Sequence, residues 1–232
     1  MPALNRGPNM PPAISHYEKC NTLCEILYQP PPPLPEPTIV DLTNWKPNEL
    51  PFVNITETEV YEALFLTSIN ISPSPSQINY TMIKWAWPSI QAELTALMQK
   101  CLILGYHPQQ WRIAVTVALR KPSKPDYTQS RVYRLIILLE CIGKILEKII
   151  AHRLTFMVGR YELISGAQSR GKANLTTTDA ILSFVHDIHI AWNHGKVTSA
   201  LTFDIKGYFD FVNHDRLLVE MQKRQIPLEY LK

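Results

Sequence analysis

Residues 201–214, Leu-Thr-Phe-Asp-Ile-Lys-Gly-Tyr-Phe-Asp-Phe-Val-Asn-His, set a carboxylate, Asp204, at the end of an apolar run. A glycine, two aromatics and a second acid, Asp210, follow before a helix start. The run 197–205 reads as a strand, and an acid buried at its end is costly unless something compensates the charge. A divalent cation does so. Mg²⁺ uses few protein carboxylates and fills its remaining positions with water and phosphate oxygens. Two such ions stabilise the attacking and leaving oxygens of an in-line phosphoryl displacement, which takes carboxylates from more than one strand end. The spacing leaves two other readings open. Asp204 could form an Asx turn leaving the strand, and Asp210 could be a surface acid between core-facing Phe209 and Phe211.

The elements that must position this stretch are marked by local signals. Thr56 and Glu59 form a capping box, with Val60, Ala63, Leu64 and Thr67 as the helical stripe behind it. A second helix is expected from about Ser89 to Leu104, with Ile90, Leu94, Leu97, Met98, Cys101 and Leu102 on one face, Gly105 closing it and Pro108 barring continuation. Ile113, Val115, Val117 and Leu119 alternate as a strand, and "YRLIILL" reads as a second. The two make an antiparallel pair whose connection carries Lys121 and Lys124. A helix over "ECIGKILEKIIAHRL" follows, with Lys144, Lys148 and Arg153 outward. Thr176 and Asp179 have capping-box spacing for a helix to about His194. Asn213 reads as the N-cap of a helix from 214 to about 224, with Val212 and Leu217 at staple positions.

Acids outnumber bases nine to five up to residue 100, and bases outnumber acids eighteen to eleven beyond it. A basic second half suits a polyanionic partner, nucleic acid being the simplest, as well as an ordinary solvated surface. No segment approaches the ~18 apolar residues of a membrane span. The N-terminus is proline-rich without an apolar run, so no signal peptide is read there. Residues 1–54 are expected to be mostly extended or disordered, with "PPPPLPEP" at 30–37 in polyproline II and a short helix before it over 16–28. Cys20 and Cys24 lack a second close pair for a zinc site, so the four cysteines read as free thiols of an intracellular protein of cytoplasm or nucleus. Of the tryptophans, Trp85, Trp87 and Trp111 are expected in the core, with base stacking the alternative.

Four blocks, "WRIAVTVALRKPSKPDY", "YRLIILLECIGKILEKIIAHRL", "AQSRGKANLTTTDA" and "FDIKGYFDFVNHDRLL", are colinear with a known pattern. Residues 55–232 resemble the reverse transcriptases of non-LTR (LINE-type) retrotransposons. The resemblance implies an α+β fold, the fingers and first part of the palm of a right-hand polymerase. It implies RNA template, DNA primer, dNTP and Mg²⁺ as partners. Asp204 takes the place of the first metal-binding aspartate, with the Ile205 carbonyl beside it. Phe209 resembles the steric gate against the sugar of the incoming nucleotide. Arg134 resembles the arginine that clamps the triphosphate, with Lys121 or Lys124 as its partner. Gln168 lies where the family has a glutamine near template and nucleotide. The chain departs from the pattern at Leu135, Ile137 and along 169–176. It also departs at Tyr208, where the family has a small residue and a phenol should crowd the nucleotide pocket. The resemblance further requires a downstream aromatic-x-Asp-Asp hairpin, and no Asp-Asp pair occurs in the 232 residues. The expectation is therefore a polymerase region truncated before that hairpin and catalytically incomplete, or a non-catalytic nucleic-acid-binding remnant.

Overall fold

The computed structural model describes residues 1–28, 50–68, 76–166, 168–169, 175–205, 208–209 and 211–232. The proline run, most of "ISPSPSQI", and Arg170, Lys172 and Asp210 lie outside them. Two compact units are present, Met1–Ile145 with Gly207–Lys232, and Leu146–Lys206.

In the first unit, helix α1 (His16–Leu27) is opened by a capping box in which Ser15 accepts from the Glu18 amide and Glu18 reaches back. Helix α2 (Glu57–Phe65) starts at the Thr56–Glu59 box as expected. Helix α3 spans Tyr80–Leu104, nine residues longer at its start than the sequence suggests. Pro88 reads as a helix boundary, yet it sits inside α3, because Asn79 caps the helix earlier by accepting from the Met82 amide at 3.0 Å. That extra turn carries Lys84, whose Nζ donates to the carbonyls of Phe65 (3.3 Å) and Thr67 (2.7 Å) at the end of α2. Tyr61, Phe65 and Trp87 pack edge and face across α2 and α3. Gly105 ends α3 in the left-handed region at φ 60°.

After the short α4 (Gln109–Arg112), strand β1 (Val115–Arg120) pairs antiparallel with β2 (Tyr133–Leu138), Leu119 opposite Arg134 and Arg120 opposite Tyr133. An isolated two-stranded ribbon is marginal in water, so one face has to be covered. The N-terminal segment covers it. Leu4 and Ala13 form an isolated antiparallel bridge, both at 0 % exposure, and pack with Leu23 of α1 and with Tyr133. Within residues 1–28, Leu4, Ala13 and Leu23 are thus anchored on the ribbon, and the helix expected over 16–28 is α1. These three residues, too scattered to form a periodic stripe, converge on one tyrosine.

Helix α5 (Cys141–Arg160) follows β2, and Glu140 before it is 8 % exposed. Its carboxylate accepts from the Ser76 amide (3.0 Å) and hydroxyl (2.7 Å). This ties the loop before α3 to the start of α5. Ile145, Leu146 and Ile149 of α5 are buried.

The second unit holds the rest of α5, helix α6 (Thr177–Asn193) and the segment to 205. The Thr176–Asp179 box stands as expected, and Gly195 turns the chain after the helix at φ 66°. Residues 197–205 form no strand, and Val197, Leu201, Phe203 and Ile205 are all exposed. This corrects the buried strand read from their pattern. Alternation describes a face that suits a sheet, and no partner strand for it exists among the described residues. Helix α7 (His214–Lys223) of the first unit begins at Asn213, which accepts from the Arg216 amide at 2.8 Å. Trp87 and Trp111 are buried as expected, whereas Trp85 is 79 % exposed.

Replacing Glu140 by alanine should lower unfolding stability by about 1.5–3 kcal/mol, the range for hydrogen bonds to a charged group. Urea denaturation checks it, with Glu140→Gln expected to recover part of the loss.

Candidate functional site

The ribbon sorts its residues by strand alternation. Tyr133 is 2 % exposed on the covered face, with its hydroxyl donating to the Tyr127 carbonyl at 2.9 Å. Arg134, one residue on, is therefore placed on the opposite, exposed face. The same face carries Val115, Val117, Leu119 and Ile136, all at least 38 % exposed. The result is an open apolar strip with a guanidinium at the end nearest the connecting loop.

The loop 121–129 is held from inside. The Tyr127 hydroxyl donates to the Lys121 carbonyl (3.0 Å) and accepts from the Lys124 amide (3.4 Å), and Arg120 lies 5.1 Å from the centre of the Tyr127 ring. Asp126 makes an Asx turn, accepting from the Thr128 amide (2.8 Å) and hydroxyl (2.7 Å) and from Gln129 Nε2 (3.3 Å). Those bonds, the Thr128 hydroxyl first, hold the Asp126 carboxyl below the usual carboxylate range.

The two lysines left open by sequence are now distinguished. Lys121 Nζ donates to the Arg131 carbonyl at 2.7 Å and its amide extends the ladder to Val132, so this side chain closes the hairpin. The Lys124 ammonium and the Arg134 guanidinium are both exposed, and neither has a partner among the described residues. Lys121, Lys124 and Arg134 are thus brought to one end of the ribbon, and of these three Arg134 and Lys124 have charged groups without a partner among the described residues.

The other candidates are placed differently. Asp204 and Ile205 are exposed in the second unit, on the irregular segment after α6. Gln168 is half-buried in the same unit, its amide donating to the Ser165 carbonyl at 3.1 Å. Tyr208 and Phe209 belong to the first unit; both are exposed, with ring centres 5.1 Å apart at 83°. The phenol packs on the adjacent candidate gate ring. Among the described residues no group of three or more His, Cys, Asp or Glu side chains could hold a metal ion. Asp204 alone does not form a two-ion centre with them. Sequence reasoning missed Glu140, Tyr127 and Asp126. The Asp-x-Thr spacing at 126–128 was a usable turn signal, whereas nothing local marks Glu140.

Comparison with known proteins decides the family. The profile of the family described as reverse transcriptase (RNA-dependent DNA polymerase) matches residues 119–232, which include both the ribbon's basic end and Asp204. This region belongs to the reverse transcriptase family. The chain is 29 % identical over 167 residues to the retrovirus-related Pol polyprotein from type-1 retrotransposable element R1 of Bradysia coprophila, covering 72 % of the chain and 16 % of that protein. It is 26 % identical over 182 residues to the probable RNA-directed DNA polymerase from transposon X-element of Drosophila melanogaster, covering 78 % and 20 %. It is 24 % identical over 182 residues to the RNA-directed DNA polymerase from mobile element jockey of the same fly, again covering 78 % and 20 %. The non-LTR resemblance read from the sequence is borne out. The chain spans a fifth or less of the length of these relatives. The reverse transcriptase region is a mixture of helices with one small sheet, and no helix among the described residues is long and apolar enough to cross a membrane.

The Asp126 carboxyl titrates lower folded than unfolded, so its contribution to the hairpin loop is present above the ordinary carboxylate range. It is lost as pH falls through the depressed value. Acidification should therefore move the Thr128 and Gln129 amide resonances together, and Asp126→Asn should abolish that step; an amide NMR titration reads both.

Proposed function

We propose that the chain forms the nucleotide-handling part of an RNA-templated DNA polymerase of a non-LTR retrotransposon. In this reading the β1–β2 ribbon corresponds to the fingers, and the segment at Asp204 to the start of the palm. The observation that carries it is the ribbon itself: an exposed apolar strip that ends in two unpartnered cations, within a region of reverse transcriptase sequence. Such a strip suits the base and sugar of a nucleotide, and Arg134 with Lys124 suits its triphosphate. A planar guanidinium grips phosphate oxygens through paired N–H donors, and an ammonium adds a point charge. In phosphoryl transfer this positioning and charge neutralisation do most of the catalysis. Lys121 holds the hairpin closed so that the other two cations share one end.

Mg²⁺, when bound, would neutralise phosphate charge and activate the attacking oxygen, and Asp204 is the carboxylate this chain offers it. Because that chemistry requires acids from separate strands, we read these 232 residues alone as binding nucleic acid and nucleotide without extending a primer. Phe209 in this reading lies against the nucleotide sugar, with the Ile205 carbonyl near the metal and Gln168 near the template. Four cysteines that are all free thiols fit a reducing setting such as cytoplasm or nucleus.

The purified chain, given an RNA template, a DNA primer, dNTPs and Mg²⁺, should yield no extended primer, while binding the duplex with an affinity that falls linearly on a log–log salt plot. Primer extension would overturn the incompleteness, and no binding at ~50 mM salt would overturn the nucleic-acid reading. Arg134→Gln should weaken dNTP binding about tenfold or more, as loss of a charge-assisted contact implies, with Lys121→Gln acting instead on stability. Equilibrium binding of a fluorescent dNTP together with thermal melting separates the two.

A further inference from the structure

The same ribbon has a second basic surface on the side of the N-terminal segment. A cleft of about 660 Å³ is walled by Asn5, Arg6 and Gly7 on one side and by Gln129, Ser130 and Arg131 on the other. Gly7 turns the first wall at φ 118°, a conformation that side chains rarely adopt, and its amide donates to Asn5 Oδ1 at 2.9 Å. The walls are joined where the Asn5 amide donates to the Thr128 carbonyl at 2.8 Å.

Two guanidinium groups line this cleft, those of Arg6 and Arg131. Arg6 Nε donates to the hydroxyl of Thr22 at 3.3 Å, and that hydroxyl donates to the Glu18 carbonyl at 2.8 Å. Thr22 is 2 % exposed, so the contact fixes the guanidinium at its inner edge. The two terminal nitrogens have no partner among the described residues. Arg131 has its carbonyl held by Lys121, and its guanidinium is likewise without a partner among the described residues. Ser130, only 4 % exposed, has a buried hydroxyl with no hydrogen-bond partner among them. Two acids stand in the neighbourhood. Glu18 Oε2 accepts from the Ile14 and Ser15 amides, both at 2.9 Å, and Asp126 accepts from Thr128 and Gln129. Both carboxylates are thereby committed first to local amides and hydroxyls; the charge of Arg6 adds a weaker pull on Glu18, without a direct ion pair. Asn5 and Gln129 add side-chain amides at the rim.

We infer that this cleft is an anion site that takes a phosphate group, and that the phosphate is supplied by the backbone of a nucleic-acid strand. Fork-shaped donors on opposite walls, with neutral amide and hydroxyl groups between them, match the tetrahedral set of phosphate oxygens. The source follows from the basic balance of the chain beyond residue 100 and rests on the nucleic-acid reading above; the anion site itself does not.

The test uses the full chain and a fluorescent single-stranded RNA oligonucleotide, with anisotropy titrations from about 50 to about 200 mM salt. Arg6→Gln and Arg131→Gln should each reduce the log–log salt slope by about 0.7, and the double variant by about twice that, as expected for one lost phosphate contact apiece. Lys100→Gln, an exposed cation on α3, should leave the slope unchanged. Independently of any variant, inorganic phosphate should shift the Nε–Hε NMR signals of Arg6 and Arg131 in the wild-type chain ahead of those of Arg112 and Arg216. Binding of RNA with unchanged slopes in both variants overturns the assignment to nucleic acid. Failure of phosphate to move either signal overturns the anion site. Signals that move in a chain that binds no RNA uphold the anion site while removing both the strand as its source and the reading on which that source rests.

Discussion

The burial of Tyr133 is the contact on which the rest of the first unit's functional surface depends. A two-stranded ribbon has no core of its own, and its alternation means that fixing one face fixes the other. With Tyr133 locked against Leu4, Ala13 and Leu23, and its hydroxyl on the Tyr127 carbonyl, Arg134 has to point the other way. A slip of one residue would exchange them, burying a guanidinium and exposing the tyrosine. The N-terminal segment therefore sets the register of the basic residues although it lies before the part matched to reverse transcriptases. The Tyr28 hydroxyl, 3.4 Å from that of Thr116, extends the contact between α1 and the same face of β1.

The second unit shows the converse. Helix α6 has no buried residue, and Ile181, Leu182, Phe184, Val185 and Trp192 lie exposed along it. The irregular segment to Asp204 is equally uncovered. Exposed apolar surface of this extent marks a face suited to packing against something else. Asp204 is thus in an environment very different from the buried strand end that its neighbours Phe203 and Ile205 suggest. Its carboxylate is exposed to solvent, so no burial cost calls for a compensating cation.

What was legible in the sequence follows the range of the interactions. The boxes at Thr56 and Thr176, the cap at Asn213 and the left-handed turn at Gly105 are made within four residues, and each stands where its residues place it. The β1–β2 pairing was also readable, because both strands carry period-two patterns with loop residues between them. Long-range polar contacts were not. Glu140 meets Ser76 across 64 residues, and Lys84 caps a helix that ends 19 residues earlier. The start of α3 was misplaced at Ser89 because a proline inside a long helix, here Pro88, is tolerated once an earlier cap and tertiary packing offset its missing amide. At the site, motif likeness pointed to Arg134 and to a lysine, but only the geometry separates Lys121, which closes the hairpin, from Lys124.

Asp126 links the two basic surfaces. Its carboxylate fixes Thr128 and Gln129, and the Thr128 carbonyl in turn receives the Asn5 amide that joins the walls of the cleft. On the other side Tyr127, next in sequence, orders Lys121 and Lys124 through its hydroxyl. Lys121 closes the circuit by donating to the Arg131 carbonyl, so the residue that shuts the hairpin also holds the backbone of a cleft arginine. Four cations, Arg6, Arg131, Lys124 and Arg134, are consequently set around one nine-residue loop, with no direct ion pair to any of them among the described residues and only Glu18 acting on Arg6. Unpaired like charges repel, and solvent screens that repulsion only beyond about 10 Å at moderate salt. The loop uses its own acid for turns instead of ion pairs, which leaves these cations free for the polyanion proposed above.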